Sequence, residues 1–181
     1  MTYSLDAFIK DAKSALRDNE GPAGREKVRV LLENLLTNKS FVDEAVPAAA
    51  PLVSRKPYEA KDLGFVVLAH CNAKPHKSPP HDHGSSWAVY GQAVKYTDMS
   101  EYKRLDGGHG EGEAKLEKVK SYRLEPGRAG VYDVGAIHDP AQRRGVDRLR
   151  VGALAHLRQL LRVAEQEQTR RGEGHGDRRG E

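Results

Sequence analysis

Apolar side chains recur at helical spacing at the start of the chain. In LDAFIKDAKSAL, Leu5, Phe8, Ile9, Ala12 and Leu16 fall on one stripe, and Ser4 stands where a helix takes its N-cap. After the breaker Glu20-Gly21-Pro22, the run from Ala23 to Asn38 sets Val28, Leu31, Leu32, Leu35 and Leu36 on one face and predicts a second helix. Phe41 to Val46 predicts one more short turn before Pro47 and Pro51 end helix formation. Beyond Pro51 the pattern changes to short runs of β-formers separated by Gly, Pro and Asp. Phe65 to Ala69, Trp87 to Val94, Lys115 to Leu124 and Val131 to Val134 predict strands, and the glycine-rich Leu105 to Gly112 predicts a loop. Near the end, Leu149 to Val151 predicts a strand, and Ala153 to Gln168 a helix through Leu154, Leu157, Leu160, Leu161 and Ala164. The residues from Thr169 onward predict a disordered end.

Several short strands at close spacing after two helices predict one mainly β domain, a sandwich or barrel. A chain of 181 residues that is 38% hydrophobic and 31% charged has enough apolar surface for one core. Cys71 is the only cysteine, so no intrachain disulfide forms, and the N-terminus carries charges every few residues instead of a signal-peptide apolar run. With no stretch of membrane-spanning length, a cytoplasmic protein is expected. Residues 1–140 hold 20 Lys and Arg against 20 Asp and Glu, while residues 141–181 hold 10 Arg, no Lys and six acids, so the net charge of +4 sits in the tail. No aromatic residue follows Gln142 to stack on a base, and a solvated arginine-rich end is expected there instead of a nucleic-acid site.

The chemistry gathers in PPHDHGSSWAVYGQ. On a strand, alternate side chains share a face, so His81 and His83 point one way and form half of a metal site. A third ligand is expected from a distant strand, because a closed sheet brings remote residues together on its inner wall. His138, in PGRAGVYDVGAIHDPAQ, is that candidate. Each ring needs an acceptor to hold its tautomer, and Gln142 and Asp133 are the candidates. Tyr90, Tyr96 and Tyr132 are each able to place a phenol near the site, and Trp87 is expected to plug the barrel. His70 and His76 are expected at the wall and rim, and His109, His156 and His175 at the surface. Asp98, Glu101 or His76 stands as a candidate for a further ligand, and Cys71 is expected as a buried thiol.

These two stretches resemble the motifs of the cupin superfamily. Gly127, Asp133, Gly135, His138 and Gln142 fall on the spacing of the second motif, with Asp for its Pro and Gln for its Asn. The first motif pairs His-x-His with a Glu four or five residues on, which here is Trp87 or Ala88. The missing carboxylate and the form HDHG..W...G resemble the cysteine dioxygenase and thiol dioxygenase branch, in which three histidines hold iron. The resemblance implies a single double-stranded β-helix barrel with N-terminal helices: a helical segment over 1–50, the barrel over 51–152, and a C-terminal helix and tail over 153–181. Such barrels close with an apolar strand after the second motif, where this chain turns arginine-rich. The resemblance further implies His81, His83 and His138 as metal ligands. Arg55, on a strand before the histidine pair, takes the place of the arginine that binds a substrate carboxylate. Tyr90 and Tyr132 are grouped with it as candidate catalytic residues. Fe(II) is the implied metal, with zinc, nickel or manganese as alternatives. The implied partners are O2 and a small thiol carboxylate or similar metabolite, with a homodimer left open and no membrane. An isomerase, a diketone-cleaving enzyme or a non-catalytic metal-binding cupin stays open beside the dioxygenase.

Overall fold

The computed structural model describes residues 2–46, 53–60, 62–71, 76–107, 113–142 and 147–153, and for residues 53–57, 71, 76, 142 and 147–153 it describes the backbone alone. Helix α1 (Leu5–Asp18) begins at Ser4, whose hydroxyl accepts from the Ala7 N–H at 3.2 Å. Helix α2 (Pro22–Leu36) opens with Pro22, whose missing N–H is not needed in a first turn. The short turn expected near Phe41 is helix α3 (Lys39–Ala45), capped by the Asn38 side chain accepting from the Phe41 N–H at 3.1 Å. Among the described residues, no helix is long and apolar enough to cross a membrane.

The strands that follow are β1 (Val53–Ala60), β2 (Phe65–Cys71), β3 (His76–Lys77), β4 (Ala88–Val94), β5 (Thr97–Arg104), β6 (Leu116–Leu124), β7 (Ala129–Tyr132), β8 (Ile137–Gln142) and β9 (Asp147–Ala153). They form a five-stranded sheet in the order β1-β2-β9-β4-β7 and a four-stranded sheet in the order β3-β8-β5-β6. β9 is longer than the strand expected at Leu149 to Val151. It lies between β2 and β4, so the arginine-rich stretch does supply the closing strand. The helix expected after it, apart from Ala153, lies outside the described residues.

The two sheets face each other. Ala88, Tyr90 and Tyr132 of one and Met99 and Leu124 of the other form a single inner cluster. A larger cluster lies on the far side of the five-stranded sheet, where Phe8, Val28, Leu32 and Leu35 of the helices bury Val67, Ala69 and Val89. Each such fully buried Leu, Val or Phe contributes about 1.5–3 kcal/mol, so the helix–sheet layer carries most of the apolar burial. The space between the sheets is thereby left to aromatic and polar groups. Alternation along the chain places Ala88 inward and its neighbours outward, and Trp87 packs against the helix-side cluster. The expectation of a tryptophan plug is corrected: the helices supply an apolar outer surface that takes it instead.

Candidate metal centre

From β3 the chain runs on beside β8. The Ser78 N–H donates to the Pro140 carbonyl at 3.2 Å. His81 and His138 then exchange both backbone bonds, His81 N–H to His138 O at 3.0 Å and His138 N–H to His81 O at 2.9 Å. Directly opposed residues of an antiparallel pair present their side chains on the same face, so these two rings stand together. His83 arrives differently. The pairing stops at His81, and Gly84 takes φ 58° in a turn closed by the Ser86 N–H donating to the His83 carbonyl at 3.0 Å. The expected strand carrying both histidines is corrected to a strand end followed by a turn. The three ring centroids lie 4.8 to 5.4 Å apart. One ligand atom from each of His81, His83 and His138 lies within 4.8 Å of the other two, a group able to hold a metal ion.

Two of the rings are held in a ligating tautomer. His81 Nδ1 is 2.9 Å from the Pro79 carbonyl and His138 Nδ1 is 3.1 Å from the Ala136 carbonyl. A carbonyl oxygen only accepts, so Nδ1–H is the donor in both rings, and in the neutral imidazole Nε2 is then the nitrogen left with a lone pair for a metal. The acceptors are therefore backbone groups. Asp133, expected in this role, accepts instead from Arg25 Nη1 at 2.6 Å and ties α2 to the sheet. The Gln142 side chain lies outside the described residues. Because the Asp133 carboxylate is 47% exposed, the ion pair contributes little. Asp133→Asn is expected to lower stability by no more than about 1 kcal/mol and to leave metal content unchanged, as read by thermal unfolding and elemental analysis.

Tyrosines surround the trio. The Tyr90 hydroxyl is 2.9 Å from His83 Nε2. The Tyr132 ring lies over the buried His138 ring, centroids 4.2 Å apart and planes 32° apart, and its hydroxyl meets that of Tyr122 at 2.8 Å. Burial first, and the neighbouring phenol and Glu101 after it, push Tyr132 well above the usual tyrosine range. Burial likewise pushes Tyr122 up to about 12. Both phenols are thus neutral near pH 7. The sequence reading missed Tyr122, although period-two spacing puts it on the face of the inward Leu124. Tyr96 is elsewhere, with the Arg123 guanidinium 3.8 Å from its ring centroid.

The remaining candidates divide by register. Glu101 is the Cα partner of His138 on one side and of Lys120 on the other, so it shares the face of the trio without joining it. Asp98 accepts from Arg123 Nε at 2.8 Å. His70 lies on the face of β2 opposite Phe65, Val67 and Ala69 and is not in the group. Arg55 sits on β1 in the register row of Ala69, Leu149 and Gly91. The side chains of Arg55, Cys71 and His76 lie outside the described residues. The group holds no carboxylate. Three imidazoles suit iron, zinc, copper or nickel better than manganese or calcium, and with two Nδ1–H groups already bound the residues present fit such an ion.

No protein-family model matches the chain. No curated protein matches it in sequence. Among solved structures, a cupin-2 domain protein from Shewanella frigidimarina is 13% identical over 61% of this chain and 89% of its own, with a TM-score of 0.43. A protein with a double-stranded β-helix domain from Klebsiella pneumoniae is 17% identical over 62% of this chain and 85% of its own, at 0.40. A hydroquinone 1,2-dioxygenase is 16% identical over 62% and 70%, at 0.46. The chain's own topology is more telling: strand orders β1-β2-β9-β4-β7 and β3-β8-β5-β6, with a histidine pair at the end of the β3 path and its partner on β8. In that arrangement the chain forms a double-stranded β-helix of two antiparallel sheets, with a three-histidine group able to hold a metal.

Proposed function

We propose that the protein is a non-heme Fe(II) dioxygenase of the thiol dioxygenase type, acting on a small thiol carboxylate. One observation carries this reading: His81, His83 and His138 gather without a carboxylate, and the inward position beside them on β4 is Ala88. Ferrous iron held by three neutral rings supplies an undiminished positive charge for an anionic chelating substrate and an electron donor for O2.

The chain's own groups do the rest. The Pro79 and Ala136 carbonyls hold the His81 and His138 rings in register. Tyr132, 1% exposed and laid over His138, excludes water from that side. Tyr90 sets a hydroxyl within hydrogen-bond reach of His83, where it is placed to orient a polar atom of the substrate. Substrate consumption is expected to require both ferrous iron and O2. Cysteine, 3-mercaptopropionate, cysteamine and simple diketones, offered in turn at an oxygen electrode, check it. Full turnover under argon would exclude the dioxygenase and point to a Lewis-acid reaction.

A further inference from the structure

A groove of about 470 Å³ lies between α1 and α2. Ala15, Leu31 and Val30 give it apolar surface that runs from the buried Ala15 out to Val30, 43% exposed. Its charged lining is Asp11, Asp18 and Glu26 against Lys27 alone. Lys13 and Arg17, on the same stretch of α1, turn to Asp62 at 2.9 Å each. Arg29 reaches Glu26 at 2.7 Å but divides itself with Glu33, also at 2.7 Å, and the Asp11 carboxylate accepts from the Tyr3 hydroxyl, which brings no charge. The groove is thus apolar inside and negative at its rim.

The last described strand ends beside it. On β9, Ala153 is the register partner of Phe65, and Phe65 pairs with Ala60 across the β1–β2 turn. Asp62 in that turn holds Lys13 and Arg17 of α1, and Asp18, next along, lines the groove. The sequence beyond Ala153 complements this surface. Leu157, Leu160, Leu161 and Ala164 fall at i, i+3, i+4 and i+7, the spacing by which a helix anchors in a groove, and Arg158 and Arg162 follow one border of that stripe. Four residue steps carry a chain about 14 Å from Ala153 to Leu157, against a helix thickness of about 10 Å. Leu157 to Ala164 and Asp11 to Asp18 each make about 10 Å of helix.

We propose that the groove between α1 and α2 is the docking site of the chain's own segment 153–168, seated as a helix. Leu157, Leu160, Leu161 and Ala164 lie on Ala15, Val30 and Leu31, and Arg158 and Arg162 follow the Asp11–Asp18 rim. A purely apolar occupant would leave the carboxylates facing apolar surface, and an acidic one would meet like charge; a leucine stripe bordered by arginines answers both. The segment also follows β9 directly, so its effective concentration at the groove exceeds that of a free partner of the same composition. Docked there, it fixes the end of β9, the strand that closes the sheet between β2 and β4.

The test uses the full chain carrying Ser14→Cys with Leu160→Cys, treated with a short bismaleimide. Both positions are near the middle of their spans, so the pairing does not depend on which way the helix runs, and peptide mass mapping separates these thiols from Cys71. A crosslink within one chain is expected to form at least about tenfold faster than in Val119→Cys with Leu160→Cys, where Val119 is exposed on β6. Adding Asp11→Lys with Asp18→Lys is expected to slow it to the control rate. Adding Arg158→Glu with Arg162→Glu to that chain is expected to restore it, which a change that merely unfolded the helices would not allow. Equal rates in the two thiol pairs, a rate indifferent to the charge reversals, or reversals that the second pair does not rescue would overturn the proposal. Crosslinks formed only between two chains would overturn it too, and would give the groove to a second copy.

Discussion

His138→Ala protein, dialysed against metal-free buffer, is expected to come out nearly empty, with affinity for iron or zinc reduced at least about 100-fold. His138 is fully buried on β8, shares a backbone pair with His81, and lies within ring contact of both partners. Removing it takes away one of three ligand atoms and also the ring on which Tyr132 rests. His81→Ala should behave alike. His109→Ala, in the glycine-rich stretch apart from both motifs, should remain fully loaded. Metal per chain, measured by elemental analysis beside a thermal melt of each variant, separates ligand loss from unfolding. A folded, fully loaded His138→Ala protein would dissolve the trio.

Gly24→Ala is expected to be the most damaging single-methyl change among the described glycines. A Cβ at Gly24 would lie 1.7 Å from the Asn19 carbonyl oxygen, 2.9 Å from its carbon and 3.0 Å from the Ala15 oxygen. All three are backbone atoms of α1 and the segment after it, so the clash is relieved only by moving α2 off its neighbour. Overpacking of this kind costs about 3 kcal/mol or more, which for a chain of this size lowers the melting temperature by on the order of 10 °C. Gly91→Ala is the comparison. There the close atoms are Leu32 Cδ2 at 2.8 Å and Leu36 Cδ1 at 2.9 Å, side-chain ends that can turn away, so a smaller loss is expected. Thermal unfolding followed by circular dichroism ranks the two. Equal melting points would show that the α1–α2 contact yields more easily than backbone packing allows.

The helices were legible because a 3.6-residue repeat of large apolar groups means one thing when a surface has to be buried, and Ser4 marks where the first begins. The histidine pair and His138 were legible by residue type and spacing, since few other uses call for imidazoles in that pattern. β5 was not. Its inward positions are Thr97, Met99 and Glu101, so the alternation that announces a half-buried strand is weak. The reason is functional geometry: the interior of this barrel houses polar and aromatic groups, while the apolar layer lies outside, under the helices.

What the amino-acid order determined by itself was local: helix stripes, the cap at Ser4, and three side chains whose chemistry suits a divalent metal. Only the tertiary structure decided which remote groups meet. Cross-strand register puts Glu101 next to His138, and a phenol contact brings Tyr122 to Tyr132. An ion pair to α2 draws Asp133 to Arg25, and a helix-covered face holds Trp87 outside the barrel. Register and sheet packing are set by the whole pattern of buried faces at once, and a one-residue slip reverses every side chain, so no single stretch of sequence contains that information.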